Sequence, residues 1–90
     1  MAFHLSGTIT VPAADLDRVR AALPEHKRLS LQERGCRAFS VEEQAGGVFL
    51  VNESFDDEAA FAAHQERIRG TEWAAASASA VRDYRTWQGD

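Results

Sequence analysis

A chain of 90 residues with 44% apolar residues and a formal net charge of −4 has the make-up of one ordinary globular domain, and at this length it buries only about two-thirds of the surface its unfolded form exposes. The acidic balance lacks the clustered Lys and Arg that neutralise phosphates, so nucleic acid is not an expected partner. No apolar run is long enough to cross a membrane, and no basic region, apolar run and small-residue cleavage site open the chain, so neither membrane insertion nor a secretion signal is expected. Cys36 is the only cysteine, which leaves no internal disulfide and fits a reducing cytoplasm.

From Phe3 to Val11 the residues Phe3, Leu5, Gly7, Ile9 and Val11 alternate with His4, Ser6, Thr8 and Thr10, a period of two that predicts a first strand stopped by Pro12. From Ala13 the pattern turns helical, with Leu16, Val19, Leu23, Leu29 and Leu31 recurring among charges. Pro24 lies inside that run. Because proline removes a helix hydrogen bond and clashes one turn back, the expectation is a kinked helix or two pieces meeting near Leu23, ended by Gly35. Cys36 to Glu42 reads as a second strand with Phe39 and Val41 on one face, and Gln44, Ala45, Gly46 and Gly47 as the turn of an antiparallel hairpin.

The stretch Val48 to His64 is the centre of the reading. Val48 to Val51 is an apolar, partly β-branched strand segment, and alternation puts Glu53 on the same side as Phe49, Val51 and Phe55. Asp56 or Asp57 is placed to cap the next helix, from about Asp57 to Arg69, where Ala60, Phe61, His64 and Ile68 share one stripe. Gly70 interrupts, Thr71 caps a short helix carrying Trp73, and Val81 to Trp87 closes the chain as a fourth strand. The order strand, helix, strand, strand, helix, strand is the α+β, ferredoxin-like split βαββαβ arrangement, a single domain over residues 1–90 with helices covering one face of an antiparallel sheet. Covering the other face with a second copy's sheet is a standard solution for so small a chain.

The segments ERGC at Glu33 to Cys36, Phe39 with Val41, NESF at Asn52 to Phe55 and AAFAAH at Ala59 to His64 together resemble the antibiotic biosynthesis monooxygenase family, including its quinol monooxygenases. The resemblance implies a homodimeric α+β barrel that oxidises an electron-rich aromatic substrate with O₂ and no metal or flavin cofactor. Arg34 stands where the family usually has proline, and Phe55 where a tryptophan is common, which removes an indole donor; Trp73 is a possible source of one from another direction. The haem-degrading relatives bind iron through a histidine in the later helical segment. Trp73 to Ser79 contains none.

Oxidation of a phenol by O₂ starts with loss of a proton, since the anion gives up an electron far more readily, and a base with a pKa near neutrality suits that step. His64 is the candidate base, with Glu53 holding one imidazole nitrogen as its orienting partner. Asn52, or the hydroxyls of Ser6 or Thr8, are candidates for steadying the oxyanion, although strict alternation puts Asn52 opposite Glu53. Phe55, Phe61 and Trp73, with Phe49, suit an apolar pocket for a flat ring as well as a plain core. Tyr84 and Arg85 are set either to donate to a ligand or to face a partner subunit. The competing account of His64 and Glu53 is a satisfied buried pair that only fixes the fold. His4 and His26 lack metal-ligand spacing with each other or with His64, so no metal site is expected, and Cys36 reads as a small buried hydrophobe. RGCRAFSVE at Arg34 to Glu42 has a superficial likeness to an RNA-recognition strand, but Cys36 takes the place of a base-stacking aromatic. The leading expectation is oxidation of a small hydroquinone or polycyclic phenol. The alternatives are a non-catalytic dimer binding an aromatic metabolite, or an isomerase of a small carbonyl compound.

Overall fold

The computed structural model describes residues 1–90. Four strands, β1 (Phe3–Thr10), β2 (Cys36–Ala45), β3 (Val48–Phe55) and β4 (Val81–Gln88), form one antiparallel sheet in the order β2-β3-β1-β4. A 3₁₀ turn at Ala13–Asp15 leads into α1 (Leu16–Gln32), and α2 (Glu58–Ile68) and the short α3 (Glu72–Ala76) follow β3. This is the ferredoxin-like arrangement expected from the element order.

Period two decides which face is buried. Phe3, Leu5 and Ile9 of β1, Phe39 and Val41 of β2, and Phe49, Val51, Glu53 and Phe55 of β3 are all buried, and the strand register places them on one side of the sheet. The helices pack on that side. Opposite it, His4, Ser6 and Thr8 align with Ser54, Asn52 and Leu50 on a face that carries no helix. β4 pairs only with β1, and all eight of its residues are exposed.

Three features differ from the sequence reading. First, α1 is one continuous helix with Pro24 inside it. Its buried positions Val19, Ala22, His26 and Ser30 recur every three or four residues across the proline, so packing on both sides of the missing hydrogen bond keeps the helix in one piece. Second, that stripe excludes Leu31, which is exposed, and gives its place to two polar residues. Third, β2 runs on to Ala45 and the hairpin turn shrinks to Gly46 and Gly47, with an irregularity between Glu43 and Ala45. Gly47 takes a positive φ of 86° there, which a glycine adopts without strain.

Caps set the start of both later helices. Asp57 Oδ1 accepts from the Ala60 amide at 2.8 Å, whereas Asp56 turns outward to Arg37. Thr71 Oγ1 accepts from the Ala74 amide at 3.2 Å. Such caps satisfy amides that have no partner within the helix. At Gly35 the α1–β2 connection runs so close to α2 that a Cβ there would stand 2.4 Å from that of Ala60. That approach seats the end of α1 against the first turn of α2.

Candidate active site

His64 is 1% exposed and sits one turn beyond Ala60 on the face of α2 that meets the α1–β2 connection. Glu33, the C-cap of α1, reaches it there: its carboxylate accepts from Nδ1, with Oε2 at 2.8 Å. A carboxylate in that position only accepts, so Nδ1 carries the proton and Nε2 of the neutral ring keeps its lone pair. Nε2 points toward Glu53, whose Oε1 lies 3.6 Å away, beyond a hydrogen bond. The orienting partner of His64 is therefore Glu33. Glu53 instead stands across the lone pair, with Oε1 buried and unpartnered.

A half-buried network holds Glu33. Arg67, one turn beyond His64, donates through Nε to the same carboxylate and through Nη2 to Ser30 Oγ at 2.9 Å. Ser30 Oγ in turn donates to the His26 carbonyl at 2.8 Å. Charge-assisted bonds of this kind, partly shielded from water, fix side-chain geometry more firmly than exposed pairs do.

Burial governs the electrostatics. It pushes the Glu53 carboxyl up to about 7, with the nearby Glu33 charge adding to the effect. It lowers His64 below its ordinary value, opposed by the hydrogen bond and charge of Glu33. An acid raised toward neutrality thus faces, 3.6 Å away, an imidazole lowered from its ordinary value. Groups tuned in this way suit proton transfer at neutral pH.

Glu53 and His64 border a cavity of about 80 Å³. Leu5, Val41 and Val51 floor it from the sheet, and His26 and Trp73 wall it from the helices. The imidazole of His26 stacks on Trp73 with centroids 4.4 Å apart and planes within 2°, and Phe39 meets its edge at 5.2 Å. Burial, then the neighbouring His64 and Arg67, lowers His26 to about 3, so it is neutral near pH 7. The exposed members of the lining, Gln65, Arg82 and Tyr84, mark the mouth between α2 and β4. Arg82 is anchored to Ser77 by bonds to its carbonyl at 3.0 Å and its hydroxyl at 2.9 Å. Tyr84 is 37% exposed; partial desolvation at the mouth pushes its phenol up to about 12, and it keeps its proton. A second cavity of about 190 Å³ lies between the helices and shares the His26–Trp73 wall.

The expected residues divide between this site and elsewhere. His64, Glu53 and Trp73 line the cavity. Phe55 and Phe61 lie behind it: Phe55, fully buried, packs on His64 at 5.0 Å and on Phe61 at 5.5 Å, and Phe61 stacks on Phe3 at 4.7 Å. Asn52 faces the opposite side of the sheet, where its Oδ1 accepts from Ser6 Oγ at 2.8 Å. Strand alternation overrules an oxyanion role for Asn52 and Ser6 alike. His4 is also on that side, held by Ser54 and the Gly89 carbonyl. Cys36 is half-buried rather than buried, with its thiol pushed up by desolvation, which makes it a poor nucleophile. No group of three or more His, Cys, Asp or Glu is arranged to hold a metal ion, and no helix is long and apolar enough to cross a membrane.

Glu33, Arg67 and His26 are the site residues that the sequence reading missed. The usable signal was the spacing of Arg67, one turn after His64, and of His26 within the Val19–Ser30 stripe.

Solved structures share this fold. A Nitrosomonas europaea protein with a provisional description as an antibiotic biosynthesis monooxygenase superposes with a TM-score of 0.80 at 19% identity, covering 99% of this chain and 98% of its own. Rv0793 from Mycobacterium tuberculosis gives 0.77 at 16% identity, covering 99% and 95%. A Deinococcus radiodurans protein with the same provisional description gives 0.72 at 19% identity, covering 100% and 93%. Comparison with curated proteins gave no match. The sequence profile of the family described as "Antibiotic biosynthesis monooxygenase" matches residues 2–85, and the chain belongs to that family.

Proposed function

We propose that this protein oxidises a small hydroquinone or polycyclic phenol with O₂, using His64 as the base and no metal or flavin. The observation that carries the reading is the imidazole locked by Glu33 at Nδ1, with its free Nε2 beside Glu53 at the edge of a cavity. Nε2 takes the phenolic proton. The phenolate then reduces O₂, the dioxygen adds to ring carbon, and loss of water leaves a new carbonyl. One oxygen atom enters the substrate and the other leaves as water, with both electron pairs drawn from the ring. Glu53, poised near neutrality, relays the proton from Nε2.

Oxygen uptake by metal-stripped protein with a panel of hydroquinones and anthrones tests this. Wild type should exceed the spontaneous rate and a folded His64→Ala variant should not; uptake that survives the substitution removes His64 from the mechanism. The cavity volume supports one second reading. About 80 Å³ is smaller than the roughly 150 Å³ cavity that takes up benzene, which favours enolisation and isomerisation of a small carbonyl compound by the same base. Turnover that persists without oxygen decides for it.

The functional unit in this proposal is a homodimer joined through the uncovered sheet face. That face exposes Leu50, Val81 and Trp87, apolar groups a second sheet would bury. Sedimentation should give twice the chain mass for wild type and the single-chain mass for Leu50→Lys; a monomeric wild type refutes the pairing.

A further inference from the structure

Two residues that line the inner cavity each carry a buried polar atom with nothing to bond. Glu53 Oε1 and His26 Nδ1 are both buried without a partner, although buried polar groups are paired in the great majority of cases. His26 is only 5% exposed, and Trp73 behind it and Phe39 at its edge hold its ring in one orientation. An imidazole so confined, lining a cavity, has a hydrogen-bonding capacity that no protein group uses. His26 and His64, with centroids 6.1 Å apart, are too distant to bond one another directly.

We propose that His26 reads a second oxygen of the substrate, and that the substrate presents two oxygens on adjacent ring carbons, as catechols do. This rests on the phenol-oxidising reading of the site and narrows its substrate. The small volume supplies the argument for adjacency. A space of about 80 Å³ admits the edge of an aromatic ring while the remainder projects through the mouth at Gln65 and Tyr84, and only an edge with neighbouring oxygens meets both groups at once. One oxygen lies at His64 and Glu53 and loses its proton; the other lies at His26. A neutral imidazole has one acceptor nitrogen, and with it His26 accepts from the second hydroxyl of the reduced ring.

Anaerobic titration calorimetry with catechol, hydroquinone and phenol tests the proposal. Wild type should bind catechol about tenfold more tightly than phenol or hydroquinone, the effect of one added hydrogen bond to a group otherwise left unpaired. His26→Phe, which keeps the stack on Trp73 without the nitrogens, should reduce that ratio to near one, and His26→Gln should restore part of it. In wild type, the His26 ring ¹⁵N resonances should shift with catechol and stay in place with phenol, a readout independent of whether either variant folds. Equal affinity for the three compounds, or a catechol preference that survives His26→Phe, overturns the role of His26 and leaves the base reading standing. If wild type binds none of the three and takes up no oxygen with any of them, the phenol-oxidising reading itself fails.

Discussion

The two faces of the sheet hold similar polar residues in opposite circumstances. Asn52 and Glu53 are neighbours on β3, yet Asn52 is exposed and bonded to Ser6, while Glu53 is buried with an unpartnered oxygen beside His64. A histidine stands on each face as well. His4 spends both ring nitrogens on Ser54 and the Gly89 carbonyl, whereas His64 commits one to Glu33 and leaves the other open. What separates the two circumstances is removal from water combined with incomplete pairing. Water-exposed polar pairs exchange one partner for another at little cost, but a buried unpaired group retains its full capacity to bond.

The largest effect expected to sharpen this contrast is on turnover. Replacing His64 by alanine should lower the oxygen-uptake rate by about 10²- to 10⁴-fold, the usual contribution of a positioned base, while replacing His4 should leave the rate within a factor of a few. Equal losses would erase the distinction between the faces.

The next effect is on stability against pH. Glu53 has a folded value of about 7 against an ordinary 4.5, so the native state binds the extra proton between those limits. Its favourable contribution is complete below about pH 4.5 and is lost as pH rises through 7. Glu53→Gln lacks that slope, and its stability relative to wild type should improve by up to about 3 kcal/mol between pH 4.5 and pH 8. Urea unfolding at the two pH values measures this, and parallel curves would show that Glu53 is not held protonated by burial.

Gly35→Ala is smaller in effect and broader in consequence. The added methyl meets Ala60, and overpacking of this kind costs about 1–3 kcal/mol. Because the same contact seats Glu33 against His64, uptake should fall along with the urea midpoint; a variant as stable and as active as wild type would show that the close approach positions nothing. The smallest effect belongs to the uncovered face. Asn52→Ala should change stability by no more than about 0.5 kcal/mol and leave uptake unaltered, and a collapse of uptake would bring Asn52 back into the site.

Most of the fold was legible in the sequence because it depends on periodicity. Alternation in Phe3–Val11 and the apolar run Val48–Val51 marked two strands, and Asp56 or Asp57 and then Thr71 marked two helix starts. The site was legible in part. His64 and Glu53 announced themselves as polar residues in apolar stripes, whereas His26 and Ser30 occupied buried positions of α1 while Leu29 and Leu31, one register away, supplied the apolar signal. Polar types in a core stripe defeat a reading that weighs hydrophobicity alone.

By itself the sequence determined the order of elements, the face that each of the first three strands buries, and the presence of an acid and a histidine on that side, since these follow from local spacing along the chain. Only the tertiary structure decided which acid orients which nitrogen. Glu33 lies 31 residues before His64, and the two meet because Gly35 permits a close approach between segments whose separation in sequence carries no trace of it. It also decided that Glu53 and His26 remain unpaired, because pairing is a property of the whole enclosure and of no single stretch of chain.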